Sequence, residues 1–172
     1  KEFMVKLQNG KNSIKAIVFN KNNTMQSNYS EKNVKYNAGA IRKPSLYAII
    51  IGINDYTNPI LKLQYAVPDA LLLAKTLKKT SRSLFNKIEI KLLTKKEETT
   101  KDAIINSFLE FKDFNPEDLF VFYIASHGTI SDGEFFLLSS NVGSTSTKKL
   151  KEDALSQNYI KKLIANIPTS KK

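Results

Sequence analysis

Leu119-Phe120-Val121-Phe122-Tyr123-Ile124-Ala125-Ser126-His127-Gly128 is the stretch on which the fold turns. Its first seven residues are all apolar, rich in aromatic and β-branched side chains, and Asn115-Pro116 breaks the chain upstream. That pattern predicts a short strand with no polar face, as in a sheet covered on both sides. Ser126-His127-Gly128 follows at its carboxyl end, where open parallel sheets form their sites. A lone histidine is more often a packed or surface residue than a catalyst. It is the position of His127, before a glycine that lets the backbone turn close to a ligand, that makes it a candidate for chemistry.

Outward from that strand the chain alternates. Leu46 to Ile53 is a second continuous apolar run, interrupted only by Gly52, and reads as another interior strand. Ala66 to Lys79 carries Ala66, Ala70, Leu73 and Leu77 at helical spacing, with Pro68 tolerable in a first turn. Lys87 to Leu93 reads as a strand. Thr99-Thr100-Lys101-Asp102 opens a helix with a capping-box-like start, and Ile104, Ile105, Phe108 and Phe111 make its inner face. Beyond His127, Thr129 to Leu138 predicts a hairpin turning at Asp132-Gly133. Asn141 to Leu150 reads as a polar loop and Asp153 to Ile164 as an amphipathic helix. Strand, helix, strand, helix, strand predicts an α/β fold: a three-layer sandwich around a mainly parallel sheet.

The first 45 residues read differently. Phe3 to Leu7 and Ser13 to Phe19 predict strands joined by a turn over Gln8 to Asn12, with a third strand near Asn33 to Tyr36. Three strands cannot close a core alone. The pattern resembles the last strands of an immunoglobulin-like β-sandwich, so the expected organisation is a β-rich segment over 1–37, a linker over 38–45 and an α/β domain over 46–172. The opening residues look like the middle of a strand, as in a fragment of a longer chain, and carry no signal-peptide pattern.

Composition narrows the chemistry. The 172 residues include one histidine and no cysteine, so disulfides and thiolate metal sites are excluded and a structural zinc site is not expected. No apolar run approaches a membrane span. The net charge of +11 sits at the ends. Residues 1–45 hold nine Lys/Arg against two acids, residues 148–172 seven against two, and residues 46–147 eleven against twelve. Only Arg42 and Arg82 are arginines; the other 25 cations are lysines. Base and bidentate phosphate readout usually recruit arginine, so no nucleic-acid partner and no membrane partner are expected.

Two motifs in order make a family resemblance. Leu46-Tyr47-Ala48-Ile49-Ile50-Ile51-Gly52-Ile53-Asn54-Asp55-Tyr56, followed by Leu63-Gln64-Tyr65-Ala66-Val67-Pro68-Asp69-Ala70, resembles the opening of bacterial caspase-like and metacaspase domains. Asp118 to Gly128, continuing through Asp132-Gly133-Glu134-Phe135-Phe136-Leu137-Leu138, resembles that family's histidine segment. The resemblance implies a cysteine endopeptidase with a protein or peptide substrate and no cofactor. Some metacaspases need calcium, and no dense carboxylate loop here commits to it. Carried onto this chain, His127 is the base and the Gly128 N–H an oxyanion donor.

The family places the cysteine on a further strand, after the helix expected to end near Ile164. This chain reaches Lys172 without it, so it is expected to be inactive by itself, with the thiol downstream or on a second chain. The apolar edge of Leu119 to Ala125 would then be exposed. The metacaspase-like branch cuts after Lys or Arg, using an acid at the position of Asp69. Asp69 equally suits a helix N-terminus, and Asp55, a second candidate for substrate binding, suits an ordinary turn. Relatives often have Ser-Gly-His-Gly, with that serine lining the pocket, where this chain has Ala125-Ser126-His127-Gly128. The competing reading is a catalytically inactive caspase-like module that binds a partner.

Overall fold

Leu46–Gly52 has no polar face and therefore folds as an interior strand; all seven of its residues are buried. The computed structural model describes residues 3–37, 42–111 and 114–172. In chain order the strands are Gly10–Ala16 (β1), Ser30–Tyr36 (β2), Leu46–Gly52 (β3), Ile88–Leu93 (β4), Leu119–Ala125 (β5), Gly128–Ser131 (β6), Glu134–Leu137 (β7) and Leu155–Ser156 (β8). The helices are Ala66–Thr80 (α1), Lys101–Leu109 (α2), Thr147–Asp153 (α3) and Gln157–Ala165 (α4). Contacts divide the chain into two compact units, Lys1–Arg42 and Lys43–Lys172.

In the larger unit, β3 lies between β4 and β5, parallel to both. The period of two in a strand then assigns the layers. Ala48 and Ile50 face one way, onto Ala70 and Ala74 of α1. Tyr47, Ile49 and Ile51 face the other way, with Ile104 and Phe108 of α2 and Ile160 of α4. Each fully buried isoleucine contributes about 1.5–3 kcal/mol, so β3 anchors both cores. Gly52 is required by this packing: a Cβ there would lie 2.4 Å from the Ala66 carbonyl oxygen at the start of α1.

Thr100 caps α2, its hydroxyl accepting the Ala103 N–H at 3.3 Å. The helix ends at Leu109, so Phe111 is buried from outside it, edge-on to Tyr47 at 5.6 Å. The hairpin of β6 and β7 turns at Asp132 and Gly133, whose φ angles of 51° and 74° suit a primed turn.

Three expectations are corrected. Asn141 to Leu150 is not wholly loop, because α3 begins at Thr147. The expected helix over 153–164 is two pieces. Ala154 and Leu155 are buried and extended, Leu155 pairing with Leu137 of β7, and only then does the Ser156 hydroxyl accept the Tyr159 N–H at 3.3 Å to start α4. In the smaller unit, Phe3 to Leu7 forms no strand. Phe3, Met4 and Val5 are exposed, and an apolar run makes a strand only where a partner edge exists. The two strands there are β1, earlier than expected, and β2, antiparallel from Gly10↔Tyr36 to Ala16↔Ser30. Part of the expected linker, residues 38–41, lies outside the described residues.

Among the described residues, the outer edge of β5 is engaged at its start. Lys171 forms a parallel bridge with Leu119, and its carbonyl accepts the Phe120 N–H at 3.1 Å. Among the described residues no strand pairs with that edge from Val121 to Ala125. β5 is accordingly half-buried over most of its length, less covered than its composition suggests.

Candidate active site

Parallel pairing brings the carboxyl ends of β3 and β5 level. Gly52 stands opposite Ala125, and the Ile53 N–H extends the ladder to the Ala125 carbonyl at 3.0 Å. The loop leaving β3 thus reaches the residues leaving β5, and it holds His127 at two points. The Tyr56 hydroxyl accepts the His127 backbone N–H at 3.0 Å. The ring Nε2 lies 3.0 Å from the Leu61 carbonyl oxygen. A carbonyl only accepts, so Nε2 is the donor, and in the neutral ring Nδ1 is the nitrogen with the lone pair. The His127 carbonyl in turn accepts the Leu138 N–H at 2.9 Å.

The loop that supplies these contacts is itself braced. The Asn54 side chain accepts the Val67 N–H at 3.1 Å and donates to the Gln64 carbonyl at 3.2 Å, and its carbonyl accepts the Leu63 N–H at 2.8 Å. One asparagine therefore closes the loop and satisfies an amide at the start of α1. Asn58 caps a short 3-10 turn over Pro59–Leu61, which aims the Leu61 carbonyl. From the far side, the Ser140 carbonyl accepts the Thr57 N–H at 2.7 Å.

Tyr56 is 5% exposed and its ring centroid lies 5.5 Å from that of His127. Burial pushes its phenol above the ordinary tyrosine range, and the hydrogen bond from the His127 N–H offsets part of that. The phenol is therefore neutral at physiological pH, an uncharged acceptor beside the imidazole.

Gly128 opens β6 opposite Leu137. A Cβ there would meet the Phe135 ring at 2.6 Å, so the glycine lets that ring close over the backbone. Asp55 is exposed in the loop and pairs with Lys62 at 3.5 Å. Asp69 is exposed in the first turn of α1, its N–H bonded to the Tyr65 carbonyl at 2.9 Å. Both carboxylates lie on the segment that carries Tyr56 and Leu61, but among the described residues neither bonds to His127. Ala125 stands opposite Gly52 in the ladder, and its carbonyl accepts the Ile53 N–H. No cluster of three or more His, Asp or Glu among the described residues is placed to hold a metal ion.

Sequence reasoning missed Tyr56, Leu61 and Asn54 as supports of the histidine. Tyr56 and Asn54 were inside the quoted motif, and their place just after a strand end was the available signal. Leu61 acts through its carbonyl, which every residue has, and no signal in the sequence marks it.

None of the curated proteins compared with this chain matches it. The family model of the caspase domain matches residues 45–167, a span that runs from the start of β3 past α4 and includes Asn54, Tyr56, Leu61 and His127. The chain therefore belongs to the caspase-domain family of cysteine peptidases.

Proposed function

We propose that this domain is the histidine-bearing part of a cysteine endopeptidase, in which His127 acts on a thiol carried by a strand seated beside β5. The observation that carries this is the bond between His127 Nε2 and the Leu61 carbonyl, which leaves Nδ1 as the basic nitrogen at a strand end. In the reaction Nδ1 takes the thiol proton, the thiolate attacks the scissile carbonyl, and the imidazolium returns the proton to the leaving amine.

Gly128 fits the oxyanion role. The His127 carbonyl accepts the Leu138 N–H, so the neighbouring pair, Gly128 and Leu137, is of the non-hydrogen-bonded type whose N–H groups point away from each other. The Gly128 N–H is then turned outward, where a developing oxyanion could sit. The parallel bridge between Lys171 and Leu119 supports a thiol-bearing strand on this edge. A strand continuing in that parallel register would come level with His127 after about eight positions, the count from Leu119 to His127. The chain contains no cysteine, so on this reading it needs the thiol from elsewhere to hydrolyse a peptide.

For specificity we propose cleavage after Lys or Arg, with Asp69 as the acid that receives the basic side chain. It is exposed, and it follows the loop that holds His127. Asp55 is the lesser candidate because Lys62 already pairs with it. The absence of cysteine keeps one further reading open, an inactive caspase-like module that recruits a partner.

The test follows the reading frame past the codon for Lys172 and assays its full product on fluorogenic peptides ending in Arg, Lys or Asp. The proposal expects a cysteine on the strand after Lys171 and hydrolysis after Arg or Lys. It also expects loss of hydrolysis in His127→Ala and a raised KM for basic substrates in Asp69→Ala. A stop codon, a strand without cysteine, or an unchanged rate in His127→Ala would overturn it in favour of the binding module.

A further inference from the structure

The face of the larger unit formed by α1 and the sheet edge at β4 carries a feature that proteolysis does not use. Two neighbouring cavities open there. One, of about 470 Å³, has Leu71, Ala74 and Leu92 among its lining residues beneath Lys75, Lys78 and Arg82. The other, of about 310 Å³, has Phe85 and Ile88 beneath the same Lys78 and Arg82. Leu71, Lys75 and Lys78 recur at helical spacing along one side of α1, and Arg82 lies just past its end.

No acidic residue lines either cavity, and among the described residues no carboxylate pairs with Lys75, Lys78, Lys79 or Arg82. Cations in the last turn of a helix are ordinarily explained by its dipole, which accounts for Lys78 and Lys79. The dipole does not account for Lys75 a turn earlier, for Arg82 beyond the end, or for an apolar floor between them. Arg82 is also the single arginine of residues 43–172, placed where the cavities meet, and its guanidinium suits a bidentate grip on a carboxylate. Leu71, which lines the larger cavity with Arg82, is 48% exposed. Among the described residues β4 pairs with β3 alone, so the groove runs along a sheet edge.

We propose that this groove docks an acidic segment of a partner protein that carries bulky apolar side chains. Its carboxylates would pair with Arg82, Lys78 and Lys75, and its apolar side chains would sit on Leu71 and Leu92. Charge complementarity selects an anionic occupant, and the leucine floor selects a peptide over a polyanion, which has no apolar side chains to bury there. The groove stands apart from His127, so this inference and the proposed peptidase activity fail separately.

The experiment measures fluorescence anisotropy of labelled short peptides with the 172-residue chain at physiological salt. The probes are a Glu-rich peptide containing leucines and a peptide of equal charge with serine in place of leucine. A single-stranded oligonucleotide and phosphatidylserine vesicles serve as competitors. The Glu/Leu peptide should bind saturably, and the Glu/Ser peptide about tenfold more weakly. Arg82→Glu and Lys78→Glu should each weaken binding about tenfold, while circular dichroism remains unchanged. Leu71→Ser, at an exposed position, should weaken it as well. Absence of saturable binding overturns the proposal, as does equal affinity for the Glu/Ser peptide. So does displacement by the oligonucleotide or vesicles at lower concentration than by unlabelled peptide.

Discussion

The Tyr56 hydroxyl accepts the backbone N–H of His127 at 3.0 Å, across 71 positions of sequence. This bond closes the top of the parallel sheet, because Tyr56 leaves β3 and His127 leaves β5. It also explains why a buried tyrosine, 5% exposed, stands in a loop rather than in a helix or strand. The phenol replaces the strand partner that the His127 amide lacks, and buried amides are costly to leave unmade.

Tyr56→Phe keeps the ring and removes the acceptor. The expected cost is about 1 kcal/mol of stability, that of one half-buried hydrogen bond lost. The local effect should be sharper than the global one. The His127 amide should exchange with solvent faster, and the ring nitrogen shifts that identify the Nε2–H tautomer should broaden or move. Unchanged His127 signals in this variant would remove Tyr56 from the support of the imidazole.

The same tyrosine sets an alkaline limit. Burial raises its folded-state pKa above the ordinary 10.0, so its contribution to stability is complete below that value and is lost as pH rises through the folded pKa. Thermal stability followed from neutral to strongly alkaline pH should fall more steeply in the wild type than in Tyr56→Phe, which has no proton to lose there.

Two glycines near the site should respond differently to alanine. At Gly52 the added Cβ meets backbone, the Ala66 carbonyl at 2.4 Å and the Val67 Cα at 2.8 Å, and neither can move without displacing α1. At Gly128 it meets the end of the Phe135 side chain, which is 38% exposed and can swing outward. Gly52→Ala should cost about 1–3 kcal/mol and disturb the Asn54 loop, with Gly128→Ala milder in stability. Denaturant midpoints for the two variants decide the order, and a milder Gly52→Ala would mean that α1 is free to shift.

The elements that position His127 were legible where one-dimensional pattern carries the physics. Leu46 to Ile53 and Leu119 to Ala125 are apolar on both faces, which only an interior sheet satisfies, and Ala66, Ala70, Leu73 and Leu77 repeat at helical spacing. The caspase resemblance rested on those same residues, and the family match over 45–167 agrees with it. What escaped the pattern is long-range or backbone-borne. The Leu61 carbonyl carries no residue signature, and the Tyr56–His127 bond spans residues that no local rule connects. Residues 153–164 misled for a related reason. Their apolar spacing suits one helix, yet Leu155 gains more as a strand partner of Leu137. Phe3 to Leu7 shows the converse, an apolar run that pairs with no strand among the described residues.

Glu98 gives the acid side of the stability profile. Burial pushes its pKa up, but the Lys95 and Thr94 amides and the Lys95 ammonium outweigh that and hold it below the ordinary 4.5. A depressed carboxylate contributes stability that is complete above the unfolded value and is lost as pH falls through the folded one. Glu98→Gln should therefore be less stable than the wild type at neutral pH and should converge with it in acid. Parallel curves at all pH values would show that the carboxylate charge does no work in this turn.

Asp118 tests the sheet from the end opposite His127. Its side chain is buried, 1% exposed, and its two oxygens accept the Ser45 N–H at 2.7 Å and the Asn115 N–H at 2.8 Å. Ser45 directly precedes β3, and its carbonyl accepts the Leu119 N–H at 2.9 Å, so this carboxylate joins the starts of β3 and β5 in register. Asp118→Ala leaves one buried and one half-buried amide without an acceptor, and the expected loss is about 2–4 kcal/mol. Asp118→Asn keeps the shape but turns an amide donor toward one of those N–H groups, and should recover only part of the loss. β5 separates this contact from His127 by about 20 Å of strand. The denaturant midpoint should therefore drop in both variants while the His127 tautomer signals stay as in the wild type, the reverse of the pattern expected for Tyr56→Phe. A shift of those signals in Asp118→Asn would mean that the register of β3 on β5, rather than the loop carrying Tyr56 and Leu61, places the imidazole.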